Sequence, residues 1–205
     1  MDKGINLIKN KHVAYYLAIS LIIIALLIET AEFIIECVEG SFNFVGLFAY
    51  IFEIVTNGLL IFALVKKFNV LIELALVILK VFEATFYPME SCERLDKLLI
   101  TADVSNFYVV THVLFAVTAF SLLFALVFFL IYKLKDKVKY WDIMKIWVLL
   151  ASFCMLVTLV LYIIEINKNE DMQFEELLEP MALTILFLGM FMTYEYVEEE
   201  IIYNE

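Results

Sequence analysis

Residues 13–28 read VAYYLAISLIIIALLI, sixteen residues without a charge, and residues 29–39 continue as ETAEFIIECVE. Such a run is typical of a helix that crosses the hydrocarbon core of a bilayer, which takes about 20 residues. It is continuously apolar, and it lacks the period-2 alternation of a membrane β-barrel strand. The stretch therefore predicts a first transmembrane α-helix followed by a glutamate-rich segment.

The composition of the whole chain agrees with this prediction. Hydrophobic residues make up 64% of the 205 residues and charged residues 19%, which is too little polar surface for a soluble domain. The net charge of −11 and the single arginine, Arg94, argue against nucleic acid as a partner. The basic N-terminal segment has no small-residue cleavage site after it, so we expect a retained first helix that lies in the lipid bilayer.

The fold class that these runs predict is an all-α polytopic membrane helix bundle of about six transmembrane helices. Connections between the runs are short, and there is no Gly/Ser linker or low-complexity tract, so residues 1–205 form one integral membrane domain. The predicted spans are 13–36, 44–65, 69–88, 107–132, 144–166 and 181–197.

The distribution of basic residues predicts the orientation of the bundle. Lys and Arg are retained in cytoplasmic loops, so the side that holds more of them is expected to be inside. One side holds ten: Lys3, Lys9, Lys11, Lys66, Lys67, Lys133, Lys135, Lys137, Lys139 and Lys145. The other side holds three: Arg94, Lys97 and Lys168. We therefore expect both termini in the cytoplasm, and the expected location is the plasma membrane of a prokaryote.

Glutamates collect at the predicted outer ends of the helices, and we call this set the acidic rim. Its members are Glu29, Glu32, Glu36, Glu39, Glu90 and Glu93. The first four fall within an arc of about 80° on one helix, near a C-terminus whose dipole disfavours anions. Two interpretations stay open, since the helix either simply continues into water or carries carboxylates that attract cations or basic partners.

Similar acidic segments end the third and fifth spans. They read EATFYPMESCE at 83–93 and EINKNEDMQFE at 165–175. The similarity suggests three helical-hairpin repeats, and the alternative is a chance match between outer loops of an acidic protein. Cys37 and Cys92 lie at nearly matching places in two of the segments, so an oxidising exterior would allow a disulfide between them. Cys154 lies within the fifth span and is expected to pack. Neither a metal site nor a cofactor is predicted, because no Cys/His ligand pattern is present.

Ionisable residues within the second and third spans form the strongest signal for function. The tight turn KKFN at 66–69 makes these spans antiparallel neighbours, which places Glu53 and Lys80 at the same depth, some 20 Å from the turn. A charge in the core costs about 3 kcal/mol or more on insertion scales, so the two are expected to form an ion pair. We call the surrounding set the polar seam: Glu53, Thr56, Asn57, Glu73, Lys80, Glu83 and His112. Thr111, Thr118 and Ser121 of the fourth span extend it.

The same residues support two hypotheses from different classes. Clustered ionisable groups inside spans indicate a path for protons or cations, through the chain alone or as one subunit of an assembly. Alternatively, a Glu–Lys pair only fixes the register of two helices, in a scaffold or sensor that packs with partner helices or with a second copy. No catalytic motif is visible: G-x-S-x-G, H-E-x-x-H and a Gly-rich phosphate loop are absent, so we do not expect an enzyme.

One resemblance to a known family follows the order of these residues. An acid follows the first run (IET, Glu29), an aromatic–acid pair lies in the second (Phe52–Glu53), and a base precedes an acid in the third (KVFE, Lys80–Glu83). This order resembles that of the small four-helix phosphate-starvation-inducible PsiE-type membrane proteins. The spacings differ and this chain has two further predicted helices, and the resemblance implies no defined chemistry.

Overall fold

The computed structural model describes residues 11–39, 44–66, 75–82, 88, 92, 105–135, 137–168 and 174–203 of the chain. These residues are helical, apart from short connecting positions, and contain no strand. The helices are α1 (Lys11–Glu39), α2 (Phe44–Lys66), α3 (residues 75–82), α4 (Asn106–Lys135), α5 (Val138–Ile166) and α6 (Leu178–Tyr203). A single 3-10 turn, Phe174–Leu177, leads into α6.

The observed helices begin and end near the predicted spans, with one informative difference. The second span was expected over 44–65 and α2 covers Phe44–Lys66. The fifth span was expected to begin at residue 144, whereas α5 begins at Val138. A helix satisfies its own backbone hydrogen bonds, so it can continue past the apolar segment into a lysine-rich one. The extension makes Lys145 the eighth residue of α5, whereas it was the second residue of the predicted span.

Three of the helices are long and apolar enough to cross a bilayer: His12–Ile35 within α1, α4 and α5. Residues Tyr50–Val65 of α2 form a shorter apolar segment. The outward faces of these helices are also apolar, for example at Leu27 and Phe153, whose side chains are 65% and 60% exposed. Exposing such apolar faces to water would be unfavourable, whereas apolar lipid tails can pack against them. The helices are therefore those of an integral membrane protein.

Neighbouring helices run antiparallel, as side-chain contacts at both ends show. Tyr132 contacts Trp141 near the turn between α4 and α5, and Phe107 contacts Tyr162 at the far end of the same two helices. We call the end that carries Lys133, Lys135, Lys137 and Lys139 the lysine end of the bundle. The opposite end, where α1 reaches Glu29 and α5 reaches Glu165, is the glutamate end.

The last helix, α6, lies between α1 and α5. It packs along α1 and α5, and Met190 Sδ lies 3.8 Å from Lys80 Nζ of α3. None of its residues from Leu178 to Tyr196 is exposed, and the buried ones are Leu178, Pro180, Ala182, Leu183, Leu186, Phe187, Gly189, Met190, Phe191, Thr193 and Glu195. A helix without an exposed face belongs to the interior of the bundle more than to its outer surface.

Small residues allow α1 and α6 to approach closely. The buried face of α1 carries Ala14, Ala18 and Ala25 around Ile22. A Cβ atom added to Gly189 of α6 would lie 2.9 Å from Ile22 Cγ1 and 3.2 Å from the Ile22 backbone nitrogen. Because lipid provides no hydrophobic drive for helix association, this close packing is a main source of stability between the two helices.

Candidate functional site

The inward face of α2 carries the central part of the polar seam. Glu53, Thr56, Asn57 and Leu60 recur at helical spacing, and the last three of these are buried while Glu53 is half-buried. The hydroxyl oxygen of Thr56 and both polar atoms of the Asn57 amide have no hydrogen-bond partner among the described residues. Each buried and unsatisfied polar group costs about 1–3 kcal/mol. The buried face of α2 thus carries hydrogen-bonding groups that the other described helices do not satisfy.

The register of α2 and α3 is marked by an aromatic contact. The rings of Phe52 and Phe82 lie 5.8 Å apart, which is the register expected from the tight turn between the helices. In that register Glu53 lies within one residue of the level of Lys80. This supports the predicted match in depth, while the ion pair between the two side chains stays a prediction. Glu73 and Glu83 lie outside the described residues.

Lys80 is half-buried, and its side chain reaches α6. Its Nζ atom lies 3.8 Å from Met190 Sδ on α6, a contact that holds the ammonium group against the core of the bundle. A lysine beside a thioether, within apolar helices, keeps its charge away from bulk water. The third helix therefore directs a basic group inward and not toward lipid.

Glu29, the first member of the acidic rim, lies deeper than the sequence suggested. It is only 7% exposed, on the same buried face of α1 as Ile22 and Ala25. The Tyr50 hydroxyl of α2 donates a hydrogen bond of 2.9 Å to Thr30 Oγ1, and the Tyr50 ring stacks on Phe33 at 4.2 Å. This register places Glu29 at the level of residues 52 and 53 of α2. Two carboxylates, those of Glu29 and Glu53, therefore share one depth.

The remaining members of the acidic rim are less fully described. Glu32 is half-buried on α1. The backbone of Glu36 and Glu39 continues α1, but their side chains, and all of Glu90 and Glu93, lie outside the described part of the chain. Cys37 and Cys92 are exposed, free thiols in the structure, so their disulfide stays a prediction. Cys154 is buried within α5, which confirms its packing role.

The polar residues of α4 use their hydroxyl protons within their own helix. Thr111 donates to Phe107 O at 3.1 Å, Thr118 to Leu114 O at 3.0 Å and Ser121 to Val117 O at 2.7 Å. His112 is half-buried and has an edge contact with Tyr108 one turn earlier. These hydroxyl groups satisfy their hydrogen bonds within α4, and α4 packs chiefly along α5. They are therefore assigned a structural role. The hydroxyl of Thr56 on α2 differs from them, because it has no hydrogen-bond partner among the described residues.

A second ionic site, between α5 and α6 at the lysine end, was missed by the sequence reasoning. Lys145 Nζ donates a hydrogen bond of 2.8 Å to Glu195 Oε1, and both side chains are almost completely buried. Asp142, one turn earlier on α5, places Oδ1 3.5 Å from the same ammonium group. This is an ion-pair distance without hydrogen-bond geometry, because Oδ1 has no hydrogen-bond partner among the described residues.

Aromatic rings pack against one another at the same level of the bundle as this ionic site. Trp141 contacts Tyr132 at 5.1 Å and Tyr194 at 5.7 Å between ring centroids. Its indole nitrogen is buried and has no hydrogen-bond partner in the part of the chain that the structure describes. The burial of both charged side chains strengthens the attraction between Lys145 and Glu195. The site is a closed ion pair, in contrast to the unsatisfied groups on α2.

Hairpin spacing was the signal that could have found this pair. Lys145 precedes the end of α5 by 21 residues, and Glu195 follows the start of α6 by 17. Antiparallel helices with a short connection bring such positions to similar depth, the same geometry that relates Glu53 to Lys80. The pair was missed because Lys145 was counted only among the basic residues that set the orientation, at the very start of the predicted span 144–166.

Comparison with known proteins adds no relative of this chain: no family model, no curated protein and no solved structure matches it.

Proposed function

We propose that the chain is a multi-pass membrane protein that conducts or couples protons or cations through the polar seam, alone or as a subunit of a larger assembly. The observation that carries the proposal is the pair Thr56 and Asn57, which are buried and have unsatisfied polar atoms one turn from Glu53. Inside a bilayer, such groups are expensive unless water or an ion reaches them. Their position beside an ionisable group on α2 favours a path.

The topology that we propose for this function is six spans with both termini in the cytoplasm of a prokaryotic cell. The lysine end then faces inward and the acidic rim faces outward, where its carboxylates attract cations to the mouth of the seam. Three helical-hairpin repeats remain part of this proposal, since α1–α2 and α5–α6 are each antiparallel pairs.

Ion flux in proteoliposomes tests the proposal. We expect Glu53→Gln to abolish flux, because the amide cannot carry a charge or a transferable proton, and Glu53→Asp to retain part of it. Glu165→Gln is the matched control, since this half-buried glutamate lies on α5 at the same end of the bundle but outside the seam. Equal flux in the wild type and in both Glu53 variants would remove the proposal.

The second candidate function is a scaffold or sensor that does not transport and whose charges only fix helix packing. The Lys145–Glu195 pair favours this candidate, because a closed buried pair at 2.8 Å is well suited to holding two helices in register. Partner helices or a second copy of the chain would then occupy its apolar outer faces. In this case Glu53→Lys combined with Lys80→Glu should restore the folding that either single change loses, with no flux in any variant.

A further inference from the structure

We propose that the turn between α4 and α5, at the lysine end of the bundle, binds the headgroups of anionic membrane phospholipids. This inference goes beyond the proposed function, because it depends on the membrane location alone and neither on ion flux nor on the orientation of the bundle. The residues that we assign to binding are three exposed lysines on both sides of the turn: Lys135, Lys137 and Lys139.

The lengths of the two helices place this turn at the level of the lipid headgroups. α4 has 30 residues and α5 has 29, and both are apolar enough to cross a bilayer. Helices of this size are about 45 Å long, which is close to the thickness of a bilayer with its headgroup regions included. Only residues 136 and 137 separate the two helices, so the turn cannot extend far into water.

The positive charges at the turn are not neutralised by the part of the protein that the structure describes. Lys135, Lys137 and Lys139 form no ion pair with any described residue. Asp142, the next acidic residue on α5, lies beside Lys145 instead. Asp136 lies outside the described residues, and its single charge offsets at most one of the three. The turn is therefore a local basic surface on a chain whose net charge is −11.

An aromatic ring gathers two of the lysines. The Nζ atoms of Lys135 and Lys139, from different helices, lie 5.8 Å and 5.0 Å from the centroid of the Tyr140 ring. Tyrosine rings and lysine side chains with apolar stems are typical of the membrane interface, where the ring faces lipid and the ammonium group faces the headgroups. The arrangement thus presents two ammonium groups together to one phosphate.

A lipid fits this surface better than a soluble polyanion does. Leu134 is 84% exposed and directly precedes Lys135, so an apolar side chain borders the basic surface. A phospholipid offers a phosphate for the lysines and an acyl chain for the leucine within one molecule. Nucleic acid would be repelled by the acidic remainder of the chain.

Energy transfer from the native tryptophans to labelled lipid tests the inference on the full chain. The two tryptophans, Trp141 and Trp147, lie within the first ten residues of α5 and so near the turn. The purified protein is placed in phosphatidylcholine nanodiscs that contain a small fraction of acyl-labelled dansyl lipid, either phosphatidylglycerol or phosphatidylcholine. Transfer should show phosphatidylglycerol enriched at least about fivefold over phosphatidylcholine, the effect of one lysine near an anionic surface.

Two triple variants separate charge from shape. Changing Lys135, Lys137 and Lys139 together to Gln should remove the enrichment, whereas changing the same three to Arg should keep it, because the charges remain. Lys168→Gln is the matched control, since this exposed lysine lies just beyond the opposite end of α5. Its enrichment should equal that of the wild type. All the substituted side chains are exposed, so each variant should keep the Tm of the wild type.

Equal transfer to the two lipids in the wild type would overturn the inference, and so would an enrichment that survives the change of all three lysines to Gln. Soluble glycerol phosphate, added at constant ionic strength, distinguishes a lipid from a free phosphate compound. The enrichment should persist in its presence, and its loss would assign the surface to a soluble anion instead. A Glu53→Gln variant without ion flux should bind lipid as the wild type does, so the two proposals fail separately.

Discussion

Lys145 Nζ lies 2.8 Å from Glu195 Oε1 and joins the early part of α5 to the late part of α6. Lys145 is the eighth residue of α5, about 10 Å along the helix, so the pair lies near the lysine end and not at mid-membrane. The seam residues on α2 lie farther along the bundle and include groups without hydrogen-bond partners among the described residues. The molecule thus separates a closed ionic contact from a region of α2 whose buried polar atoms lack hydrogen-bond partners among the described residues.

Removing one member of this pair should destabilise the protein strongly. Lys145→Met leaves the Glu195 carboxylate buried without its closest cation, so we expect a loss of about 3–5 kcal/mol in the free energy of unfolding. The double variant Lys145→Met with Glu195→Leu should recover most of this loss, because no buried charge remains. Denaturant unfolding in mixed micelles measures both values.

Asp142→Asn serves as the control for this experiment. Its carboxylate is partly exposed and lies 3.5 Å from Lys145, so its loss should cost about 1 kcal/mol or less. A Lys145→Met variant as stable as the wild type would show that the pair adds nothing to folding.

Two glycines offer opposite responses to the same substitution. Gly189→Ala should destabilise the protein by about 1–3 kcal/mol, because the new Cβ meets the backbone nitrogen of Ile22 and forces α1 from α6. Gly58→Ala should be neutral or stabilising by about 0.5–1 kcal/mol, since nothing lies within 4 Å of that position and alanine favours a helix. Equal effects in both variants would contradict close packing of α1 on α6.

Helix positions could be predicted from the chain, whereas the way helices pack could not. An apolar run reports how long a helix must be to cross lipid, which is why 44–65 and Phe44–Lys66 nearly coincide. It does not report which helices become neighbours, and α6, the shortest predicted span, is the one that packs between α1 and α5. Hairpin geometry predicted that Glu53 and Lys80 lie at the same depth, and the contact of Phe52 with Phe82 supports this register. The burial of Glu29, on the α1 face that carries Ile22 and Ala25, depends on how the helices pack, which no local pattern reveals.

The orientation of the bundle can be tested at Cys37, which is exposed near the glutamate end of α1. In a variant with Cys92 and Cys154 replaced by alanine, a membrane-impermeant maleimide added to intact cells should label Cys37 if both termini are cytoplasmic. Labelling only after the cells are opened would reverse the proposed orientation. A variant with Cys154 as its single cysteine is the control and should react slowly in both conditions, because that thiol is buried.

Water access to the polar seam separates a path from a sealed structure. In a background without other cysteines, Asn57→Cys should react with a small water-soluble thiol reagent. Asn57 is completely buried by the protein, so the reagent can reach it only if the proposed path holds water. Val148→Cys is the matched control, since Val148 is equally buried but lies in the apolar core on α5. We expect Asn57→Cys to react at least about tenfold faster than Val148→Cys, which corresponds to a difference of about 1.4 kcal/mol in the barrier. Equal and slow rates at both positions would mean that water does not reach Asn57, and the charged residues of the bundle would then act in packing alone.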